Sequence, residues 1–280
     1  MKALLPILGI VGLLVTAEWS AASGSSAKFG RSEEFIATAM RLRDDAISQA
    51  QPQVVVNGGV RSSFNRYPWK RNIVTTVFWI GERPTANNPT PNHKSSWDAN
   101  WVRNFGGYDN PDPGERANFI PKRFVPRENP FYVALTYYDT TRGTTKPEAS
   151  KVIPWFKQAF VRPGQSVLKG RWVAIRRGNR IAYAQWEDCG PFRTDHYQYV
   201  FGHERPRPNL NQGAGLDVSP AVRDYLGIGT KDVCDWKFVE ARDVPYGPWS
   251  KHGENNTFVL QRRGSDLFAA DRNNAYGAKK

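Results

Sequence analysis

Residues 170–176 (GRWVAIR) and 180–186 (RIAYAQW) alternate in character, each with an apolar centre, and flank Gly178–Asn179. That alternation predicts two strands, and the short Gly-Asn break predicts a tight hairpin. Residues 72–80 (NIVTTVFWI), 131–139 (FYVALTYYD) and 233–241 (VCDWKFVEA) are β-branched and aromatic, and each predicts a further strand. Helical spacing is rarer. Phe35, Ala39, Leu42 and Ala46 share one face of residues 32–50, with Ser32 as cap and Gln51–Pro52 as stop. Ser219, Pro220 and Gly227 bracket a second, short helix as cap, first-turn residue and terminator. Residues 153–160 predict a third.

Residues 81–130 fit neither period, because prolines and asparagines interrupt every run. Trp97, Trp101, Phe105, Tyr108 and Phe119 make the segment too apolar for a free linker, so it reads as an ordered lobe pinned by aromatics. The expected role of those rings is to plug a small core, with stacking on sugar rings as the functional alternative. Asp98, Asp109 and Asp112 match no metal-loop spacing, so no metal or other cofactor is expected.

Ten tryptophans, 24 glycines and 20 prolines agree with a mainly β, loop-heavy chain. A formal net charge of +13 calls for an acidic partner or surface, whether nucleic acid, an anionic wall polymer or lipid head groups. Charge does not choose among them. The first residues do: Lys2, an apolar run over residues 3–17, and small residues through Ala27 form the pattern of a secretory signal, with cleavage after Ala22 or Ala27. The run is too short for a membrane span, so none is expected after cleavage. In an exported chain the only two cysteines, Cys189 and Cys234, are expected to pair as a disulfide.

Two motifs carry a resemblance. WEDCGPF places Asp188 before a Gly-Pro-Phe turn at the end of the second hairpin strand, and GLDVSPAVRDYLG places Asp217 before a short helix closed by Leu-Gly. Together they resemble the rare-lipoprotein-A-like double-psi β-barrels, related to expansins and the small-barrel endoglucanases. The resemblance covers residues 131–245 and implies a six-stranded double-psi barrel there. It leaves a signal at 1–27, an extension at 28–130 holding the helix and the aromatic-rich lobe, and a basic, mobile tail at 246–280. Residues 131–139 would be the opening strand, with Asp139 placed like the endoglucanase general base. The chain departs from the family in lacking a histidine ahead of the hairpin, and in a longer insert carrying His196, Tyr199 and His203.

Cleavage of a glycosidic bond needs a protonated carboxyl at the leaving oxygen and a second group to activate a hydroxyl. Asp188, Asp217 and Asp139 are the candidates for that work, and the alternative is that Asp188 and Asp217 hold loop backbone in place. Glu187 adjoins Asp188 in sequence but should face away from it. Trp186, Phe192, His196, Tyr199, His203 and Arg180 are the candidate substrate contacts, and Arg171, Arg176 and Arg177 would favour an anionic glycan. The expectation is an exported, periplasmic or secreted bacterial protein that binds peptidoglycan-type glycan, with cleavage through an aspartate acid, as a lytic transglycosylase or glycosidase, left open. Its alternatives are a non-catalytic expansin-like binding module and an envelope scaffold. Nucleic acid ranks last, since export and the lack of a recognised module outweigh the charge.

Overall fold

A computed structural model describes residues 66–85, 88 and 91–264. The expected signal at 1–27 and the helix at 32–50 lie outside the described residues.

Six strands close into a barrel: β1 (Lys70–Val77), β2 (Tyr132–Leu135), β3 (Arg171–Arg177), β4 (Arg180–Cys189), β5 (Leu216–Val218) and β6 (Lys231–Phe238). Around the wall the order is β1-β6-β3-β4-β2-β5 and back to β1. Two ladders are parallel, β1 with β5 and β2 with β4; the other four are antiparallel. The expected hairpin is β3–β4. Arg177 and Arg180 are its last paired residues, and Gly178 takes φ 56°, the left-handed value a two-residue turn demands at its first central position. The helix after Asp217 is also as the sequence reads. Four short helices precede it, α1 (Trp101–Phe105), α2 (Ala149–Val152), α3 (Phe156–Ala159) and α4 (Tyr197–Val200), and α5 itself spans Pro220–Leu226. Ser219 Oγ accepts from Val222 N–H at 3.3 Å, and Gly227 ends the helix at φ 68°.

Three expectations change. The barrel's first strand is Lys70–Val77, not residues 131–139, so the wall draws on the segment the sequence assigned to the extension. Its pairing partners lie at residues 216–218 and 231–236, too far along the chain for any local pattern to name. The two cysteines are free thiols rather than a disulfide. Cys234 sits on β6 and Cys189 at the end of β4, with β3 between them. Two strand spacings are ~9–10 Å, beyond the ~7 Å Cα limit for a bridge. Finally, part of the expected tail is packed. Trp249 is buried against Phe131 and Tyr225 at ring separations of 5.9 and 5.3 Å. Phe258, in the helical residues 257–264, is buried against Trp172 at 5.6 Å.

Strand alternation sorts the wall into two faces. Val133 and Leu135 of β2, with Leu216 and Val218 of β5, join Ile73, Trp186, Trp236 and Phe238 in the main core. Tyr132 and Ala134 join a second cluster with Phe78, Ile80, Trp101 and Phe105, which is the aromatic-pinned lobe laid on the outer face of β2. Tyr132 binds the lobe to the wall. Its ring lies 5.3 Å from Phe78 and 5.4 Å from Trp101, its hydroxyl donates to Asp109 Oδ2 at 2.7 Å, and it accepts from Ile80 N–H at 3.0 Å. Asp109 is fully buried and paired with Arg116, which also donates to Asp224 and to the carbonyls of Asn110 and Phe119. No helix among the described residues is long and apolar enough to cross a membrane.

Candidate functional site

The barrel register puts Thr76, Asp217, Ala134 and Asp188 side by side on four adjacent strands, β1, β5, β2 and β4. Neighbours in register share a face, and Ala134 belongs to the outer cluster, so the row faces the lobe rather than the core. A β-bulge helps to aim it. Val133 pairs with Trp186 and Ala134 with Asp188, so Glu187 is an extra residue in β4. Trp186 fills the core, while Asp188 turns outward two residues later.

Ala134 is the smallest member of the row, and a recess of about 90 Å³ opens over it. Asp188 and Asp217 line it from either side, with Thr76 of β1, Gly190, Pro191 and Phe192 just past β4, and Phe78 of the outer cluster. Asn88, Asn92 and Asn211 complete the walls. Gly190 leaves the approach open: a Cβ there would stand 3.5 Å from Asp217 Oδ2.

The two carboxyls are held differently. Asp217 accepts from Thr76 Oγ1 on Oδ1. Burial, opposed by that bond and reinforced by the negative charges of Glu82 and Asp188, holds the Asp217 carboxyl up at about 7. Asp188 Oδ1 accepts three hydrogen bonds, from Ser96 N–H and Cys189 N–H at 2.7 Å and from Ser96 Oγ at 2.8 Å. Burial raises this carboxyl too, while the three donors work against the rise. All of its hydrogen bonds among the described residues fall on Oδ1. Asp217 is thus suited to carry a proton near neutral pH, and Asp188 is given donors that favour its charged form.

The other candidates scatter. Asp139 is fully buried, accepts from Val167 N–H at 2.8 Å and does not line the recess. Trp186 is sealed in the core with its Nε1–H on the Asp188 carbonyl at 2.7 Å, so it offers no face to a ligand. Tyr199 is buried as well, accepting from Trp236 Nε1 at 2.7 Å and donating to the Gly215 carbonyl at 3.2 Å. His196 is buried with Nε2 at 2.9 Å from Glu204, and His203 is exposed beside it; neither lines the recess, so neither replaces the family histidine there. Arg180 donates to the Tyr225 carbonyl at 3.3 Å, away from the recess. Arg171, Arg176 and Arg177 are paired with Glu240, Asp235 and Asp232. Phe192, 39 % exposed, is the one candidate contact that reaches the recess. Burial and the neighbouring Asp188 charge push the Cys189 thiol well up, which leaves it no role as a nucleophile. Glu187 meets Asn255 at 3.1 Å rather than Asp188.

Several participants carry no sequence signal. Ser96, Thr76 and Asn92 are short polar residues in unremarkable runs, and only the closed wall brings them to the aspartates. Asn92 also donates to the buried Glu82 at 2.8 Å, and the Glu82 charge acts on Asp217 through space. On the other side of Ser96 lies a groove of about 1030 Å³, whose lining includes Lys94, Trp97, Asp98, Tyr138, Arg162 and Lys169. The Trp97 and Tyr138 rings are 5.9 Å apart. Lys94 and Arg162 have no ion-pair partner among the described residues. Compared with known proteins, the chain matches no family model and no curated protein sequence.

Proposed function

We propose that the chain is an exported glycan-binding protein of the double-psi barrel type, and that the outward aspartate row cleaves a peptidoglycan-type glycan. The observation that carries this reading is the convergence of Asp188 and Asp217 on one recess, with Asp217 held at about 7. A mixed barrel with two parallel ladders supports the double-psi topology. The recess is too small for a sugar ring, so it takes the scissile oxygen and its substituents while the chain of sugars lies outside it. The groove beyond Ser96 offers the aromatic faces and cations that an acidic glycan would use.

In this scheme Asp217 donates its proton to the glycosidic oxygen as the carbon–oxygen bond breaks. Asp188 stabilises the positive charge at the sugar carbon and accepts the proton of the attacking hydroxyl, from water or from the sugar itself. The second reading is a non-catalytic binding module. It is favoured by the same hydrogen bonds to Asp188, which would equally tie the lobe to the barrel wall.

Incubation of the protein with purified peptidoglycan, followed by mass spectrometry of soluble products, separates the two. Fragments from the parent, absent with Asp217→Asn and Asp188→Asn, support cleavage. An anhydro end would identify attack by the sugar's own hydroxyl. Pelleting on the insoluble wall without fragments supports the binding module.

A further inference from the structure

Asp188 receives its hydrogen bonds from two parts of the chain. Cys189 N–H comes from its own strand, whereas Ser96 supplies an N–H and a hydroxyl from 92 residues away, outside the stretch that carries the family resemblance. The loop bearing Ser96 is closed on itself. Ser95 N–H donates to the Asp98 carbonyl at 2.8 Å, and Ser95 Oγ accepts from the N–H groups of Trp97 and Asp98 at 3.2 and 3.0 Å. The Asp98 carboxylate accepts from Asn100 N–H at 2.8 Å and from the Asn104 amide at 2.8–2.9 Å. Trp97 packs edge-on against Trp186, two residues before Asp188, at 5.9 Å. A loop so tied presents its donors already oriented, with no ordering left to do when a ligand arrives.

We infer that Ser96 is a positioning residue: by saturating Oδ1 it fixes the Asp188 side chain so that Oδ2 is the oxygen offered to the recess. The inference rests on the reading of Asp188 as a working carboxylate. The same short loop supplies Ser96, Trp97 and Asp98 to the lining of the neighbouring groove. The residues that would touch a bound polymer and the residue that aims the carboxylate are therefore consecutive in the chain.

The test uses full-length Ser96→Ala and Ser96→Thr. The Asp188 carboxyl is followed by carbon-13 NMR through a pH titration and assigned with Asp188→Asn. Asp217, across Ala134, and the adjacent Cys189 thiol are the titratable neighbours and are followed in the same experiment. Loss of the hydroxyl should raise the Asp188 midpoint by about one pH unit, and threonine should restore it. Where glycan fragments are released, Ser96→Ala should lower kcat about tenfold and leave KM within about twofold. An unmoved midpoint in Ser96→Ala, or alanine and threonine behaving alike, overturns the inference. Should the parent release no fragments, the cleavage reading fails, while the midpoint still decides whether Ser96 holds Asp188.

Discussion

Thr76 and Asp217 are register partners in the parallel ladder of β1 and β5, and the threonine hydroxyl donates to the aspartate's Oδ1. Among the described residues this bond is the one hydrogen bond to the Asp217 carboxylate, set against burial and two neighbouring acids. Thr76→Val keeps the β-branched shape and removes the donor. Its expected effect is to move the Asp217 midpoint upward from about 7, and with it the alkaline limb of any activity that needs the proton. A pH–rate profile or a carboxyl titration reads this directly; an unmoved limb would separate Asp217 from the acid role.

Raised carboxyls also set how stability depends on pH. Burial lifts Asp217 and Glu128 to about 7 and Glu187 to about 8, against about 4 in an unfolded chain. The native state therefore binds protons that the unfolded state has released. Their contribution is fully present below about pH 4 and is lost as pH rises through about 7 to 8. Urea unfolding should give a lower midpoint at pH 9 than at pH 5, with a difference on the order of a few kcal/mol. Equal or greater stability at pH 9 would show that these groups are not protonated in the fold.

The Arg116–Asp109 pair lies inside the lobe, where Arg116 is the one cation paired with the acid among the described residues and Tyr132 adds a neutral donor. Arg116→Ala leaves Asp109 and Tyr132 with a buried, unmatched carboxylate, and should cost about 3–5 kcal/mol. Denaturant titration measures the loss. Because Tyr132 belongs to the barrel wall, lobe and barrel signals should fall together in the variant.

With both cysteines free, a reducing agent should leave the melting temperature unchanged. Mass spectrometry after alkylation of the unfolded protein should count two thiols. A fall in melting temperature on reduction would bring back a covalent link between Cys189 and Cys234.

What local chemistry dictates was legible. The β3–β4 hairpin follows from alternation around Gly178–Asn179, and α5 follows from Ser219, Pro220 and Gly227, each acting within a few residues of itself. The grouping of Asp188 with Asp217 came from paired motifs, and the register explains it through the shared neighbour Ala134. What depended on closing the wall was not legible. Residues 70–77 look like a strand, but their membership in the barrel is a matter of partners some 140 residues away. Trp186 and Tyr199 look like ligand contacts in the sequence because aromatic rings beside a motif serve cores and clefts equally well; burial alone tells them apart. Ser96 had no signal at all, since a serine acquires its role here only by meeting Asp188 in space.

The place of β1 between β5 and β6 bears on how this protein can be cut. A fragment spanning residues 131–245 would carry every motif of the family resemblance and yet be an opened cylinder. Its β5 and β6 margins would lie bare, two rows of unpaired amide and carbonyl groups ready to seek each other in a second copy. Such a piece would lack Thr76 and Ser96 as well, so Asp217 would lose its threonine donor and Asp188 two of its three donors along with the closure. The minimal working unit of this chain is accordingly not its most recognisable part.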